Sequence, residues 1–187
     1  PNTPFTIKLK RGDVYSVSAA NESSMGSLCD LTGSLVYGNK RFSFFSGHQC
    51  AYVPSGLIGC NHLVEQLPPI TSWGKHFYVG MLERRSRYAL RVTASQNQTK
   101  VFENSQMVKI LNAGEFYENS NVRQNIQITA DKPILMTQYS QGYQNGDDVG
   151  DPMMLLISPT QQFLKQYRFA TPINGEWKHY VNVAAPT

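Results

Sequence analysis

Apolar side chains recur along this chain at every second position, in short bursts that turn residues cut apart. Phe77 and Val79 alternate with His76 and Tyr78, and Leu90 and Val92 with Arg91 and Thr93. Ile126, Ile128, Ile134 and Met136 continue the habit. Successive side chains of a strand point to opposite faces, so this period marks strands with one buried face. The punctuation comes from Gly12-Asp13, Gly38-Asn39, Gly114-Glu115, Asp131-Lys132-Pro133 and Asn174-Gly175. Short strands with regular turn signals predict a sandwich or barrel. No segment carries a convincing 3.6-residue stripe. The best helix candidate, Thr160 to Tyr167, offers one or two turns at most.

A longer repeat overlies the short one. Asn61 through Pro69 aligns without a gap on Asp151 through Pro159, at an offset of 90 residues. The same offset places Trp73 on Phe163, Lys75 on Lys165, Phe77 on Tyr167, Val79 on Phe169 and residues 90–94 on 180–184. Upstream, residues 9–15 match 111–117 and residues 36–44 match 128–136, with offsets of 102 and 92. The predicted fold is therefore all-β, with two pseudo-repeated antiparallel β-sandwich units of about 90 residues. Residues 1–66 form the first unit, with strands from 163–187 returning to complete it. Residues 67–162 form the second. Return of those strands would cover sheet edges that otherwise invite aggregation. The alternative is that both ends continue into neighbouring modules of a longer array.

Composition sharpens the picture. The chain has 187 residues, only 16% of them charged, with 10 Tyr and 9 Phe. Low charge and many aromatics suit an extracellular β protein. The formal net charge is +4, and the densest basic cluster is Arg84, Arg85 and Arg87. Those three fall in an expected hairpin loop, without the basic, aromatic-interleaved stripe of a nucleic-acid binder. No apolar run approaches a membrane span, so neither nucleic acid nor membrane insertion is expected. Pro1-Asn2-Thr3-Pro4 lacks the basic and apolar regions of a signal peptide, so the chain is expected to be a mature fragment or a piece of something longer.

Candidate chemistry is sparse. Cys50 and Cys60 flank a short loop containing Pro54, Gly56 and Gly59, which favours a disulfide worth about 2–3 kcal/mol. Zinc is the rival; it needs four ligands, and only His48 and His62 lie nearby. Cys29 is left over, as a free thiol or an intermolecular link. Asn21 and Asn97 head glycosylation sequons, which with the cysteine pair favour the secretory route. Asp147, Asp148 and Asp151 form the acidic cluster; they are a weak calcium candidate, and a solvated turn is the preferred reading. Ser46 and His48 place a hydroxyl near an imidazole, with no nucleophile elbow around them. Period two turns one of Glu65 and Gln66 inward, and a buried Glu65 would need a partner such as His62 or a backbone N–H. No cofactor and no catalytic residue is expected.

Three strings resemble the IgGFc-binding protein N-terminal family. They are Phe45-Ser46-Gly47-His48-Gln49-Cys50, Cys60-Asn61-His62-Leu63-Val64-Glu65-Gln66-Leu67-Pro68-Pro69 and Trp73-Gly74-Lys75-His76-Phe77. Residues 130–135, Tyr139-Ser140 and 151–154 look like its second block. The resemblance covers most of the chain. Arg41 departs from it, standing where the family often has proline, and so does the unpaired Cys29. What it implies is a secreted, non-catalytic module of mucus or adhesive layers; Fc binding itself is not carried over. Two functions are weighed. One is protein binding, adhesion or structural assembly with other extracellular proteins. The other is glycan binding through exposed aromatics such as Trp73, Tyr143 or Trp177. The match of Trp73 to Phe163 marks Trp73 as a core position and weakens that version.

Overall fold

The computed structural model describes residues 3–19, 30–171 and 178–185. Cys29, the Asn21 sequon, Trp177 and the Asn174-Gly175 turn lie outside them. Residues 1–31 and 32–187 form two separate compact units. In the first, the expected turn at Gly12-Asp13 is formed. The Asp13 N–H donates to the Lys10 carbonyl at 3.1 Å, and the Lys10 N–H donates to the Asp13 carboxylate at 2.8 Å. Phe5 and Tyr15 meet edge to face across it, with ring centroids 6.5 Å apart.

The second unit is built from antiparallel strands. A hairpin, β1 (Phe45–Tyr52) and β2 (Cys60–Gln66), forms a sheet of its own. Seven further strands make the second sheet: β3 (Gly74–Val79), β4 (Tyr88–Ala94), β5 (Thr99–Glu103), β6 (Gln106–Leu111), β7 (Phe116–Val122), β8 (Ile126–Ser140) and β9 (Met153–Leu156). Its organising element is β8, which is 15 residues long. Its first half pairs with β3 and β5, and its second half with β4 and β9. One strand thereby belongs to two layers, β6-β5-β8-β3 and β7-β4-β8-β9, which close over a shared core.

That core is the set of alternating residues. Phe77, Val79, Leu90, Val92, Val101, Leu111, Ile126, Ile128, Ile134 and Met136 are all buried, most of them completely. Each such side chain contributes about 1.5–3 kcal/mol of transfer free energy. Tyr88 joins them and keeps its hydroxyl satisfied, donating to the Gln124 carbonyl at 3.0 Å.

Two expectations need correction. Asp131-Lys132-Pro133 is not a turn, because β8 runs through it. Between Gly74/Ile134 and His76/Thr129 the β3 register slips, and residues 131–133, which have no ladder partner, are the irregular stretch where β8 changes layers. A proline is tolerated there because no ladder N–H is required of it. The Asp131 carboxylate accepts the Lys100 N–H at 2.8 Å, and the Pro133 carbonyl accepts the Ser95 hydroxyl at 2.6 Å. Thr160 to Tyr167 is not a helix but a single 3-10 turn, Thr160–Gln162, closed by the Phe163 N–H on the Thr160 carbonyl. The second expected sandwich is not seen among the described residues. Of the first expected unit, the described residues carry only the β1–β2 hairpin as strand, and residues 163–171 and 178–185 carry none.

The two hairpins nevertheless share a register. Phe45, Ser46, Gly47 and His48 face Gln66, Glu65, Val64 and Leu63, while Thr137, Gln138, Tyr139 and Ser140 face Leu156, Leu155, Met154 and Met153. After each hairpin the same bond follows: Leu67 N–H to the Phe44 carbonyl at 2.9 Å, and Ile157 N–H to the Met136 carbonyl at 3.0 Å. A 3-10 turn comes next in both, Ile70–Ser72 and Thr160–Gln162, each preceded by an extended proline.

Candidate functional site: three loops at one end

Three connections converge at one end of the sandwich: residues 53–59 between β1 and β2, 80–87 between β3 and β4, and 141–152 between β8 and β9. The first is braced at its root. β1 bulges between His48 and Ala51, and the Cys50 N–H released by the bulge donates to His48 Nδ1 at 3.0 Å. The bulge turns Cys50 toward Cys60, and the two form a disulfide with Cα atoms 5.0 Å apart. These thiolates are therefore not available to zinc, and the imidazole of His48 serves as a backbone cap.

Hydrogen bonds tie the loops together. The Gly142 N–H donates to the Val53 carbonyl at 3.0 Å. A Cβ at Gly142 would stand 2.9 Å from the carbonyl oxygens of both Ile58 and Gly59, so only glycine lets the two backbones approach this closely. The Tyr143 ring lies over Gly59, 3.0 Å from where a Cβ there would be. On the other side, Asp147 Oδ2 accepts the Ser86 N–H and the Asn145 side-chain amide, each at 3.0 Å. The Arg85 guanidinium donates to the Val149 carbonyl.

The electrostatics follow. Partial burial raises the Asp147 pKa, but hydrogen bonds from Ser86 and Asn145 and the charge of Arg85 outweigh it, and the net shift is downward from 3.8. The carboxylate is thus held charged as a clasp between loops. Asp148 is exposed in a left-handed conformation, and the Asp151 carbonyl accepts the Ser140 hydroxyl at 2.8 Å. Among the described residues no three His, Cys, Asp or Glu side chains gather into a metal-holding group.

The basic cluster divides. Arg84 stands exposed as a solvated turn residue, whereas Arg85 leans onto residues 149–150 and Arg87 lies 3.7 Å from where a Cβ on Gly146 would be. The Arg87 Nε is buried without a hydrogen-bond partner among the described residues. Glu65 is half-buried opposite Ser46, and His62 is exposed. Asn97 is exposed in the turn between β4 and β5, with its Oδ1 accepting the Ala113 N–H at 3.0 Å.

Of the glycan candidates, Trp73 and Tyr143 are not brought together. Trp73 is half-buried, with Nε1 donating to the Pro68 carbonyl beyond one end of β2, while Tyr143 rests on Gly59 beyond the other. A seven-residue strand holds them apart by roughly 20 Å. Tyr52, Ile58 and Ser86 were not singled out by the sequence reading. For Tyr52 and Ile58 the available signal was an apolar residue on either flank of a Gly/Pro-rich, cysteine-bracketed loop. For Ser86 no local signal existed. In the structure Tyr52 and Ile58 are more than half exposed, and with the 40% exposed Tyr143 they form the apolar part of the loop end.

A model of the family described as IgGFc binding protein matches residues 1–187. A human protein named IgGFc-binding protein is 31% identical over 163 residues, covering 83% of this chain and 3% of the human protein. The chain thus spans a small fraction of that relative's length. No solved structure matches it.

Proposed function

This chain belongs to the IgGFc-binding protein family, and we propose that it is an extracellular protein-binding module whose partner is gripped by the three-loop end. The observation that carries the reading is the exposure of Tyr52, Ile58 and Tyr143 on loops held by a disulfide, a glycine contact and the Asp147 clasp. Rigid aromatic and aliphatic anchors on fixed loops lose little entropy on binding and make typical interface hot spots. Loops on a rigid scaffold are where binding residues concentrate. Secretion is part of the proposal, since a structural disulfide persists in oxidising compartments. So is a non-catalytic role in adhesion or assembly, because His48 and Asp147 are committed to holding backbone.

The human relative's name records Fc binding, which makes the Fc fragment of IgG the first protein probe. Affinity for immobilised Fc is measured for the chain and for Tyr52→Ala, Ile58→Ala and Tyr143→Ala. Each substitution is expected to weaken binding by about tenfold or more. Binding that all three variants retain overturns the proposal, and failure of the intact chain to bind Fc excludes Fc as the partner. Loop-dependent binding on a glycan array, with none to Fc, would instead favour a carbohydrate ligand.

A further inference from the structure

β1 pairs only with β2, so its other edge and the residues leading into it, 34–44, lack a strand partner among the described residues. We propose that residues 164–169 and 179–184 of the same chain are the missing strands, seated on residues 34–47 in the register that β3 and β4 adopt on β8.

The argument starts from the two hairpins. They share strand register, the following backbone bond and the subsequent 3-10 turn, with β1 offset from β8 by 92 residues and β2 from β9 by 90. The β1–β2 hairpin leads through its turn into β3, which crosses over to pair with β8. The β8–β9 hairpin leads through an equal length of chain, 157–163 against 67–73, into residues 164–169. The equivalent crossing brings that segment to residues 34–42. The two turns already touch: the Gln162 side-chain amide donates to the Ser72 carbonyl at 2.7 Å, and a Cβ on Gly74 would collide with Pro159.

Transferring the observed pairs gives the register. Phe77 on Ile128 becomes Tyr167 on Val36, and Val79 on Ile126 becomes Phe169 on Ser34. Arg91 on Thr137 becomes Val181 on Phe45, and Val92 on Met136 becomes Asn182 on Phe44. The side chains fit. Tyr167 and Phe169, 67% and 69% exposed, take the places of Phe77 and Val79, each 1% exposed. Val36, Phe42 and Phe44 take those of Ile128, Ile134 and Met136, which are completely buried. Tyr180 takes that of Leu90. Apolar residues thus stand at most core positions of an unformed layer; Ser34 at the place of Ile126, His179 at that of Ala89 and Asn182 at that of Val92 are polar exceptions. In the structure Asn182 donates to the Met81 carbonyl at 3.1 Å, and seating the strands requires that bond to open.

The test uses the full chain with Cys29→Ser, leaving the Cys50–Cys60 bond. Phe45→Cys is combined with Val181→Cys, and separately with Ala184→Cys as an out-of-register control. Mild oxidation, non-reducing electrophoresis and peptide mapping are expected to show a link between positions 45 and 181 within monomers, and none between 45 and 184. Hydrogen exchange on the chain without these added cysteines should show protection at residues 43–47 that disappears on truncation after residue 178, while β8 stays protected. Links only between chains would assign the edge to a second copy and overturn the proposal. Absence of both the link and the protection would overturn it equally.

Discussion

Single residues here carry either burial or the tying of loops. Tyr88 does the first. Burial, followed by the nearby charge of Glu103, raises its pKa well above the ordinary 10.0. Its folded form therefore holds a proton that the unfolded chain loses near pH 10. The associated stability is complete below pH 10.0 and is lost as pH rises above it. Thermal melts of Tyr88→Phe should accordingly show a flatter alkaline limb than the unsubstituted chain. At neutral pH the variant should be less stable by about 1–2 kcal/mol, from the carbonyl of Gln124 left without its donor.

Asp147 runs the other way. Its lowered pKa makes it stabilising above 3.8, with the contribution lost as pH falls through the folded value. Asp147→Asn should remove that slope from melting curves below pH 3.8. The sequence marked Asp147 as acidic but gave no sign of Ser86 as its partner, because 61 residues separate them. The alternating residues Phe77, Val79, Leu90 and Val92 were legible because burial on one face of a strand leaves a period of two, readable within a few positions.

Among elements, β8 shows where local signals mislead. Asp131, Lys132 and Pro133 have turn chemistry, and a turn is what such residues usually make. Here the surrounding strands use the irregularity to pass one strand between two layers. Ile134 is the first buried residue after the switch and stands at the end of both the β3 and β4 ladders. Ile134→Ala should cost about 2–5 kcal/mol in chemical denaturation, at the upper end of core truncations, since neither layer can collapse onto the gap alone. The β1–β2 hairpin is a different case. Removing its disulfide with Cys50→Ser and Cys60→Ser should abolish exchange protection in residues 45–66 and leave β3 to β9 protected. The hairpin borrows few of its contacts from the buried core, and Leu63 is its one buried hydrophobic side chain.

At the scale of the whole molecule, repetition read from sequence and architecture seen in space meet only part of the way. The offset of 90 residues reappears as matched register and matched 3-10 turns, since those depend on short stretches of chain and on Pro69 and Pro159. The same pattern leaves residues 163–171 and 178–185 without strand, because strand formation needs a seated partner edge as well as a suitable period. The loop end was the least legible feature. It is assembled from three connections far apart in the chain, each unremarkable by itself, and its character comes from the glycine contact and the carboxylate clasp that join them.

The most direct test of that end is a hydrogen-exchange footprint of the full chain with and without saturating Fc fragment. New protection should be confined to residues 53–59, 83–87 and 142–150, with β6 and the turn between β4 and β5 unchanged. Protection centred on β6, or none in the three loops, would contradict the assignment of the binding surface.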